Sequence, residues 1–402
     1  MQPSLDPVYN RGRNISVSEA VDPNYQSLGV RLGSIQAFPS VAVTTGATTN
    51  VYANDGFKRS DAYYYLQPAI RVVTDLPVHQ VELIGSATIQ RFAEQKIRNQ
   101  EAYFVNGLGR LDIGPDAQIT GRVSYSRQSE SPFASDLASD VSVLSQFTAF
   151  NPSLLGVYKL GRVRLTAKVD HLDYKFNIIV FADGSSRDQR ERNRKVDRAS
   201  AQAEYALSPS IAAFVQTNYD VTSFPFPRRD RQPSRDSTAT SVLGGVNFDL
   251  AGLARGSIAA GYVTRDYDAA FYDDQSGLIL QARADFFLSP LTTISAGAQR
   301  TLQDAASSNN GSYVDTRASV SVDHGLLRNL LLSLDATVVR NRLLETGASS
   351  RRLLTTLSAR YQTNRFIGIE GLVQYGRARP GEVPLGVRFN ELRGQLTVRF
   401  RR

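Results

Sequence analysis

The stretch LILQARADFF at residues 278–287 decides the fold, because its apolar and polar side chains alternate. One face holds Leu278, Leu280, Ala282, Ala284 and Phe286, and the opposite face holds Gln281, Arg283 and Asp285. Successive side chains of a β-strand point to opposite faces, so this period of two predicts a strand with one apolar and one polar face. The blocks at residues 292–299 and 314–323 repeat the pattern, and similar blocks recur along most of the chain.

The connections between these blocks are of two kinds that alternate along the chain. The short connections are rich in Pro, Gly, Asn and Asp, which supply fixed or positive φ, and lie at residues 74–77, 114–116, 160–162, 207–210, 251–253, 289–290, 323–326 and 363–364. The long connections are charged and irregular and lie at residues 53–61, 92–99, 127–140, 178–196, 222–237, 267–275, 302–311, 341–350 and 378–385. A soluble β-sandwich also alternates, but short turns at one end and long loops at the other are typical of outer-membrane barrels.

These connections predict an all-β fold: a closed antiparallel transmembrane β-barrel of about 18 strands, with about 16 as the alternative, short periplasmic turns and long extracellular loops. The mean hydropathy of -0.26 agrees with a chain that crosses the membrane as strands, because only every second residue of such a strand is apolar. In hydrocarbon every backbone N–H and C=O must be paired within the protein, which requires a closed sheet. An even number of strands places both termini in the periplasm, and we expect an integral protein of the bacterial outer membrane.

Aromatic residues near the strand ends are expected to form interfacial girdles, although aromatics also favour strands in general. The expected girdle residues are Tyr63, Tyr64, Tyr65, Phe286, Phe287, Tyr361, Tyr375, Phe389 and Phe400.

The composition excludes several kinds of site. The chain of 402 residues has no cysteine, which excludes disulfides, thiol catalysis and cysteine-ligated metals. Its three histidines, His79, His171 and His324, follow no metal-binding or catalytic spacing, and there is no GxSxG nucleophile motif. We therefore expect no catalytic residue, no cofactor, no metal and no enzyme activity. Nucleic acid is not an expected partner, because basic residues are interleaved with acidic ones throughout.

Arginine dominates the basic residues. The formal net charge is +8, and only six of the 46 basic residues are lysine. A GC-rich genome is one explanation. Contact with an anionic lipid or solute is the other, because the planar guanidinium binds carboxylate and phosphate bidentately and stays charged.

The charged residues of the polar faces are the candidate pore-lining set. A barrel of about 18 strands is too wide to be filled by its side chains, so its polar face is expected to line water, a plug or a solute path. The basic candidates are Arg122, Arg164, Lys168, Arg198, Arg283, Arg317, Arg360, Arg393 and Arg399, and the acidic candidates are Glu82, Asp170, Glu204, Asp285, Asp315, Asp335, Glu370 and Glu391. Rings of charge set pore selectivity, whereas charges that only neutralise their neighbours have no such role. The excess of arginine favours an anion path.

Two charged loops have alternative roles. The loop SSRDQRERNRKVD at residues 185–197 is either a solvated loop or a contact for lipopolysaccharide phosphate. The loop FPFPRRDRQPSR at residues 224–235 is similar but stiffened by proline, and one hypothesis folds it inward as a constriction.

The first 33 residues do not alternate. We expect residues 1–33 to form a periplasmic extension or a lumenal segment, with disorder as the alternative, and residues 34–402 to form the barrel. Residues 1–20 contain no apolar signal-peptide region, so we expect a mature chain with an added methionine or a truncated N-terminus.

The start of the barrel resembles a known family. In residues 24–55, the run Gly29-Val30-Arg31-Leu32-Gly33-Ser34 and the dipeptide Pro39-Ser40 are similar to the opening of the putative β-barrel porin 2 family, with Ala37-Phe38 as its apolar pair. The usual Asp-Asp-Asn is replaced by Thr48-Thr49-Asn50. Members are outer-membrane barrels, many encoded with exopolysaccharide or capsule synthesis machinery. The resemblance therefore implies a role in polysaccharide export or surface assembly and implies no catalytic residues.

The leading hypothesis is a barrel for exopolysaccharide export that offers an anionic glycan a polar, arginine-rich path. The alternatives are a general or anion-preferring diffusion porin, and a plugged barrel that acts as a docking or structural protein. The expected partners are outer-membrane lipid and lipopolysaccharide, with an anionic polysaccharide and periplasmic export components as further candidates. The oligomeric state is left open.

Overall fold

The structure is a computed structural model that describes residues 12, 14–20, 22–130, 141–143, 145–181, 183–304 and 312–402. Its main sheet contains 18 barrel strands. In chain order they are β1 Ile35–Thr48, β2 Asp61–Thr74, β3 Gln80–Phe92, β4 Gln100–Ile113, β5 Ala117–Ser129, β6 Gln146–Leu160, β7 Val163–Phe176, β8 Arg194–Ser208, β9 Ile211–Ser223, β10 Ser237–Leu250, β11 Ala254–Tyr267, β12 Gln275–Ser289, β13 Thr292–Asp304, β14 Ser312–Leu327, β15 Leu330–Leu343, β16 Ser349–Gln362, β17 Ile367–Pro380 and β18 Phe389–Arg401.

The sheet is closed because its first and last barrel strands pair. β1 and β18 run antiparallel, with Ser40 opposite Arg401 at one end of the seam. The hydroxyl oxygens of Thr44 and Thr397 lie 2.7 Å apart across this seam. Each barrel strand pairs with its neighbours in the chain. The predicted closed antiparallel barrel of 18 strands is confirmed.

Strand β8 shows how the alternation of the sequence builds two faces. Its polar residues Arg198, Ser200, Gln202 and Glu204 are buried on the inward face. The residues between them, Ala199, Ala201, Ala203 and Tyr205, are exposed on the outward face. The barrel is thus polar inside and apolar outside, the reverse of a soluble protein.

Short turns join the strands at one end of the barrel, called here the short-turn end. Gly114, Gly161 and Gly252 have φ values of 65°, 57° and 71° in three of these turns, a conformation that glycine adopts without steric cost.

The predicted turn at residues 323–326 is wrong. These residues lie inside β14, where Asp323 pairs with Ser333, and the turn follows at residues 328–329. Pairing with the flanking strand overrides the aspartate and glycine chemistry that usually marks turns. The amide of Gly325 also donates to the Leu291 carbonyl at 2.8 Å.

The other end, called here the long-loop end, carries the longer connections. Short strands Val141–Val143, Ile179–Phe181 and Ser186–Arg187 form a separate small sheet there. Short 3₁₀ turns lie at Asp55–Phe57, Lys96–Arg98 and Arg190–Arg192. Near the N-terminus, a further 3₁₀ turn covers Pro23–Tyr25, and the short strand Val30–Leu32 pairs with the start of β1. Within the described ranges, no helix is long and apolar enough to cross a membrane.

A girdle residue must face outward, and some of the predicted aromatics do so whereas others do not. Tyr64, Phe286, Tyr361, Tyr375 and Phe400 are exposed on the outward face. Tyr63 and Phe389 are buried on the inward face, and Tyr65 and Phe287 share that face with them. The physical reason is the strand period itself, since Tyr63 and Tyr65 flank the outward Tyr64 in sequence.

Candidate functional site: the charged lumen

The inward face of the barrel carries all of the predicted pore-lining residues. Cross-strand register shows this directly, because residues that oppose each other on paired strands share a face. Arg164 opposes Glu204, Asp170 opposes Arg198, and Arg360 opposes Glu370. The structure therefore brings many of these residues together as neighbours.

A first charged network joins strands β7, β8 and β10. Arg164 Nη2 donates to Glu204 Oε2 at 2.5 Å, and Asn247 Nδ2 donates to the same oxygen at 2.5 Å. Glu204 is only 3% exposed. Both donors help to compensate the charge of this buried carboxylate.

The network continues toward the middle of the barrel. Lys168 and Arg198 approach opposite oxygens of Asp170 at 3.3 and 3.7 Å. Arg198 Nε also donates to Asp220 Oδ1 at 2.9 Å. Two carboxylates thus flank one guanidinium, which fixes Arg198 against the wall.

Other predicted residues form separate pairs around the wall. Arg393 lies 2.8 Å from Glu391, and its guanidinium is stacked over the Tyr63 ring at 5.6 Å. Looser pairs join Arg360 to Glu370 at 3.5 Å and Arg317 to Asp315 at 3.8 Å, and a closer one joins Arg71 to Glu82 at 2.9 Å.

Four of the predicted residues stand apart from this pairing. Arg122, Arg283, Arg399 and Asp335 are exposed to the lumen, and none forms an ion pair within the part of the chain that the structure describes. Three of the four are arginines. Among the predicted residues, positive charge that no carboxylate neutralises therefore lies on these three side chains.

The N-terminal segment, residues 14–20 and 22–29, contacts the lumenal wall near the short-turn end. Asn14 Nδ2 donates to Asp249 Oδ1 at 2.6 Å, and the Gly252 amide donates back to Asn14 Oδ1 at 2.8 Å. Further along, the Val17 amide donates to Thr293 Oγ1 at 3.1 Å. The segment thus contacts β10, the adjoining turn and β13.

Glu19 forms an ion pair between this segment and the barrel wall. Arg255 Nη2 donates to both Glu19 oxygens at 2.9 and 3.0 Å, while Arg255 Nε donates to Asp285 at 2.9 Å. Burial raises the pKa of the Glu19 carboxyl, but hydrogen bonds from Arg255 and from the Ser16 backbone outweigh it, so the pKa lies below its ordinary value. Glu19 is therefore held ionised at neutral pH.

A cavity of about 500 Å³ separates the N-terminal segment from another part of the wall. Its charged lining consists of Arg328, Arg360, Arg399 and Arg401 with Asp22 and Glu370. Arg401 Nη2 donates to the Tyr25 carbonyl at 2.7 Å and so connects the segment to β18. The cavity is positively charged overall and opens at the short-turn end.

The loop at residues 224–235 packs against its neighbours at the long-loop end. Arg228 Nη1 donates to the Tyr272 hydroxyl at 2.5 Å, and the Arg229 amide donates to Glu191 at 2.9 Å. Arg235 is buried against the Phe224 ring, 4.6 Å from its centroid, and burial lowers the pKa of Arg235. These contacts hold the loop to the loops on either side of it.

In the loop at residues 185–197, the arginines pair with nearby carboxylates. Arg187 lies 3.2 Å from Glu191, Arg190 lies 2.6 Å from Asp188, and Arg192 is paired with Glu130. Much of the positive charge of this loop is thus already neutralised.

The alternation singled out fewer lumenal residues than the structure brings together. Arg255, Asp249 and Asp220 lie at the centres of the networks but were not predicted. The alternation contained a signal for two of these residues. Arg255 is two positions from Ser257 and Asp249 is two positions from Asn247, so each lies on the same face as that polar neighbour. The N-terminal contacts had no such signal, since that segment has no period.

The described residues contain no group of three or more His, Asp or Glu side chains placed to hold a metal ion. His171 Nδ1 instead lies 2.7 Å from Asp197 on the outward face, and His324 lies 3.0 Å from Thr292.

Comparisons with known proteins extend these observations. A family model described as Putative beta-barrel porin 2 matches residues 22–402. Among solved structures, OccK2 (OpdF) of Pseudomonas aeruginosa in complex with glucuronate is 12% identical with a TM-score of 0.49, covering 92% of this chain and 99% of that chain. The outer membrane protein opdK of Pseudomonas aeruginosa is 10% identical with a TM-score of 0.47, covering 91% and 98%. The siderophore receptor PirA of the same organism is 11% identical with a TM-score of 0.45, covering 90% and 80%. A search of the curated proteins finds no match.

Proposed function

The chain belongs to the Putative beta-barrel porin 2 family, and from this membership we propose that it forms an anion-favouring path for polysaccharide export across the outer membrane. The family consists of porin-type barrels rather than enzymes. In this proposal the short-turn end and both termini are periplasmic, and the long-loop end faces the cell exterior. The transported solute is an anionic glycan.

The main support for this proposal is that three lumenal arginines have no carboxylate partner among the described residues. Most lumenal charges are held in pairs, but Arg122, Arg283 and Arg399 are exposed and form no ion pair among the described residues. A paired arginine is fixed and largely neutralised, whereas an unpaired one attracts a passing carboxylate. Weak contacts of this kind at several points favour entry without preventing exit.

The basic cavity at the short-turn end supports the same path. It brings Arg399 together with Arg328, Arg360 and Arg401 beside the N-terminal segment. An anionic polymer that arrives from the periplasm meets this positive cavity first. The N-terminal segment then acts as a gate, because it contacts the lumenal wall at the same end.

The N-terminal segment also gives the docking hypothesis its specific support. A segment bonded to β10, β11 and β13 is suited to close a barrel that recruits periplasmic proteins. The two functions differ in conductance. A plugged docking protein conducts no ions, whereas an export path conducts when its gate opens.

The first test is conductance in planar bilayers with the variant R122Q/R283Q/R399Q. The wild-type channel is expected to prefer anions and to be blocked by an acidic oligosaccharide but not by a neutral one. The triple variant is expected to lose most of both properties. R91Q/K175Q/K195Q is the matched control, because it also removes three positive charges but from the outward face. Absence of conductance in every condition would contradict the path, and equal block by neutral sugars would favour a general diffusion porin.

The second test is a clean deletion strain in which extracellular polysaccharide and uptake of small anions are measured together. A sharp fall in polysaccharide with unchanged uptake supports export. Normal polysaccharide with slower uptake supports a diffusion porin and contradicts the export function.

A further inference from the structure

Three arginines lie in direct cross-strand register on the outward face near the long-loop end. Arg340 of β15 opposes Arg351 of β16, and Arg351 opposes Arg379 of β17. We call these three residues the arginine row. All three are exposed. Neighbouring strands are about 4.8 Å apart, so the row spans about 10 Å of the barrel surface.

The row borders the apolar band of the barrel. On the same outward face, Leu334 opposes Leu357 and Leu357 opposes Val373, all of them exposed apolar side chains. Tyr375 lies between this band and the row on β17. The row is therefore placed at the height where lipid headgroups meet the barrel wall.

Two further arginines extend the row on the same face, Arg342 on β15 and Arg377 on β17. Within the described part of the chain, none of the five forms an ion pair with a carboxylate. Their immediate outward neighbours in register are neutral, among them Thr316, Leu353 and Asn390. In this respect the arginine row, with Arg342 and Arg377, differs from the lumen and from the loop at residues 185–197, where most arginines are paired with carboxylates.

Like charges directly opposite each other on paired strands are destabilising. An arrangement that places three such charges in one line is unfavourable unless an anion bridges them. Phosphate fits best, because each guanidinium binds two of its oxygens in parallel. A phosphate carried by a lipid has its headgroup at this height and its acyl chains along the apolar band.

We propose that the arginine row, with Arg342 and Arg377, is a binding site for the phosphate groups of a phosphorylated outer-leaflet glycolipid. The site rests on the orientation proposed above, with the long-loop end at the cell exterior. It is independent of whether the lumen conducts. Failure of the channel experiments therefore leaves the lipid site intact, and failure of lipid binding leaves the path intact.

The experiment titrates purified, delipidated full-length barrel with bisphosphorylated lipid A and counts bound lipid by native mass spectrometry. The test variant is R340S/R351S/R379S. The matched control R91S/K175S/K195S removes the same charge from outward positions near the same end, where Glu101 and Asp173 are close partners. Heat-modifiable migration on gels confirms that each barrel is folded.

Wild type and the control are expected to bind lipid A equally, and the test variant about tenfold or more weakly, since each lost contact is a charge-assisted hydrogen bond. Equal binding by the folded test variant would overturn the proposal. So would equal binding of dephosphorylated lipid A, because phosphate would then not be recognised. If inorganic phosphate alone displaced lipid A at equal concentration, the ligand would be free phosphate and the lipid assignment would be wrong.

Discussion

Arg255 Nη2 donates to both carboxylate oxygens of Glu19, at 2.9 and 3.0 Å, and thereby ties the N-terminal segment to strand β11. The same guanidinium donates through Nε to Asp285 of β12. One side chain thus links the segment to two strands of the wall. Changes at Glu19 should loosen the segment without disturbing the barrel, because Arg255 keeps its bond to Asp285.

Substitution of Glu19 tests whether the segment closes the lumen. Glu19→Gln removes the charge of a half-exposed carboxylate, so we expect docking to weaken by only about 1 kcal/mol. Single-channel recordings should show a higher open probability with unchanged unit conductance. Asp22→Asn is the control, since it makes the same charge change in the segment, and its side chain accepts a hydrogen bond from the Asn24 amide within the segment. An unchanged open probability in the Glu19 variant would contradict the gate.

Acid should release the same contact. The pKa of Glu19 is lowered in the docked state, so its contribution to docking is fully present above the ordinary value of 4.5 and is lost as pH falls through the lowered value. The chain has no cysteine, which allows a single spin label at Val17→Cys. The label should be immobile at pH 7 and mobile at strongly acidic pH. Adding Glu19→Gln should abolish this pH dependence, and its persistence would contradict the role of the Glu19 carboxylate.

The Glu204 network should matter for the stability of the barrel. Glu204→Gln removes the carboxylate that compensates Arg164, and breaking a buried pair from one side costs about 3 kcal/mol. Urea unfolding in lipid vesicles measures the loss. Glu101→Gln provides the comparison, because its pair with Arg91 is exposed and worth less than about 1 kcal/mol. Equal effects of the two variants would show that the lumen is as strongly solvated as the outer surface.

Two glycines on paired strands should respond oppositely to a methyl group. A Cβ at Gly261 would lie 2.1 Å from the Val242 carbonyl oxygen, whereas one at Gly244 would meet nothing within 4 Å. Gly261→Ala should therefore destabilise the barrel by about 1–3 kcal/mol, and Gly244→Ala should be neutral or slightly stabilising. Thermal unfolding followed by heat-modifiable migration separates the two. Comparable melting temperatures would contradict the close packing at Gly261.

The period of two predicted most of the barrel, because each strand must present one face to lipid and one to the lumen. It placed Arg198 and Glu204 on the inward face and Leu278 and Leu280 on the outward face, as observed. The prediction of the girdle failed because it used the aromatic composition of a stretch and did not apply the period of two. Tyr63 was grouped with Tyr64 as a girdle aromatic although the two must face opposite sides.

Other features had no local signal. The end of β14 was predicted as a turn from its Asp and Gly, but pairing with β13 and β15 decides the conformation of Gly325. The contacts of Asn14 and Glu19 join residues more than 200 positions apart in sequence. Such contacts depend on the shape of the finished lumen, which no short window of sequence contains.

The seam between β1 and β18 joins the first and last barrel strands. Thr44 and Thr397 are 353 positions apart, so one edge of the first strand, from Ser40 to Thr48, stays unpaired until the last strand has formed. Throughout that interval β1 presents an open row of N–H and C=O groups that hydrocarbon cannot accommodate. The nascent sheet must therefore be sheltered by other machinery while it grows. Pairing of β18 with β1 then removes the last open edge of the sheet.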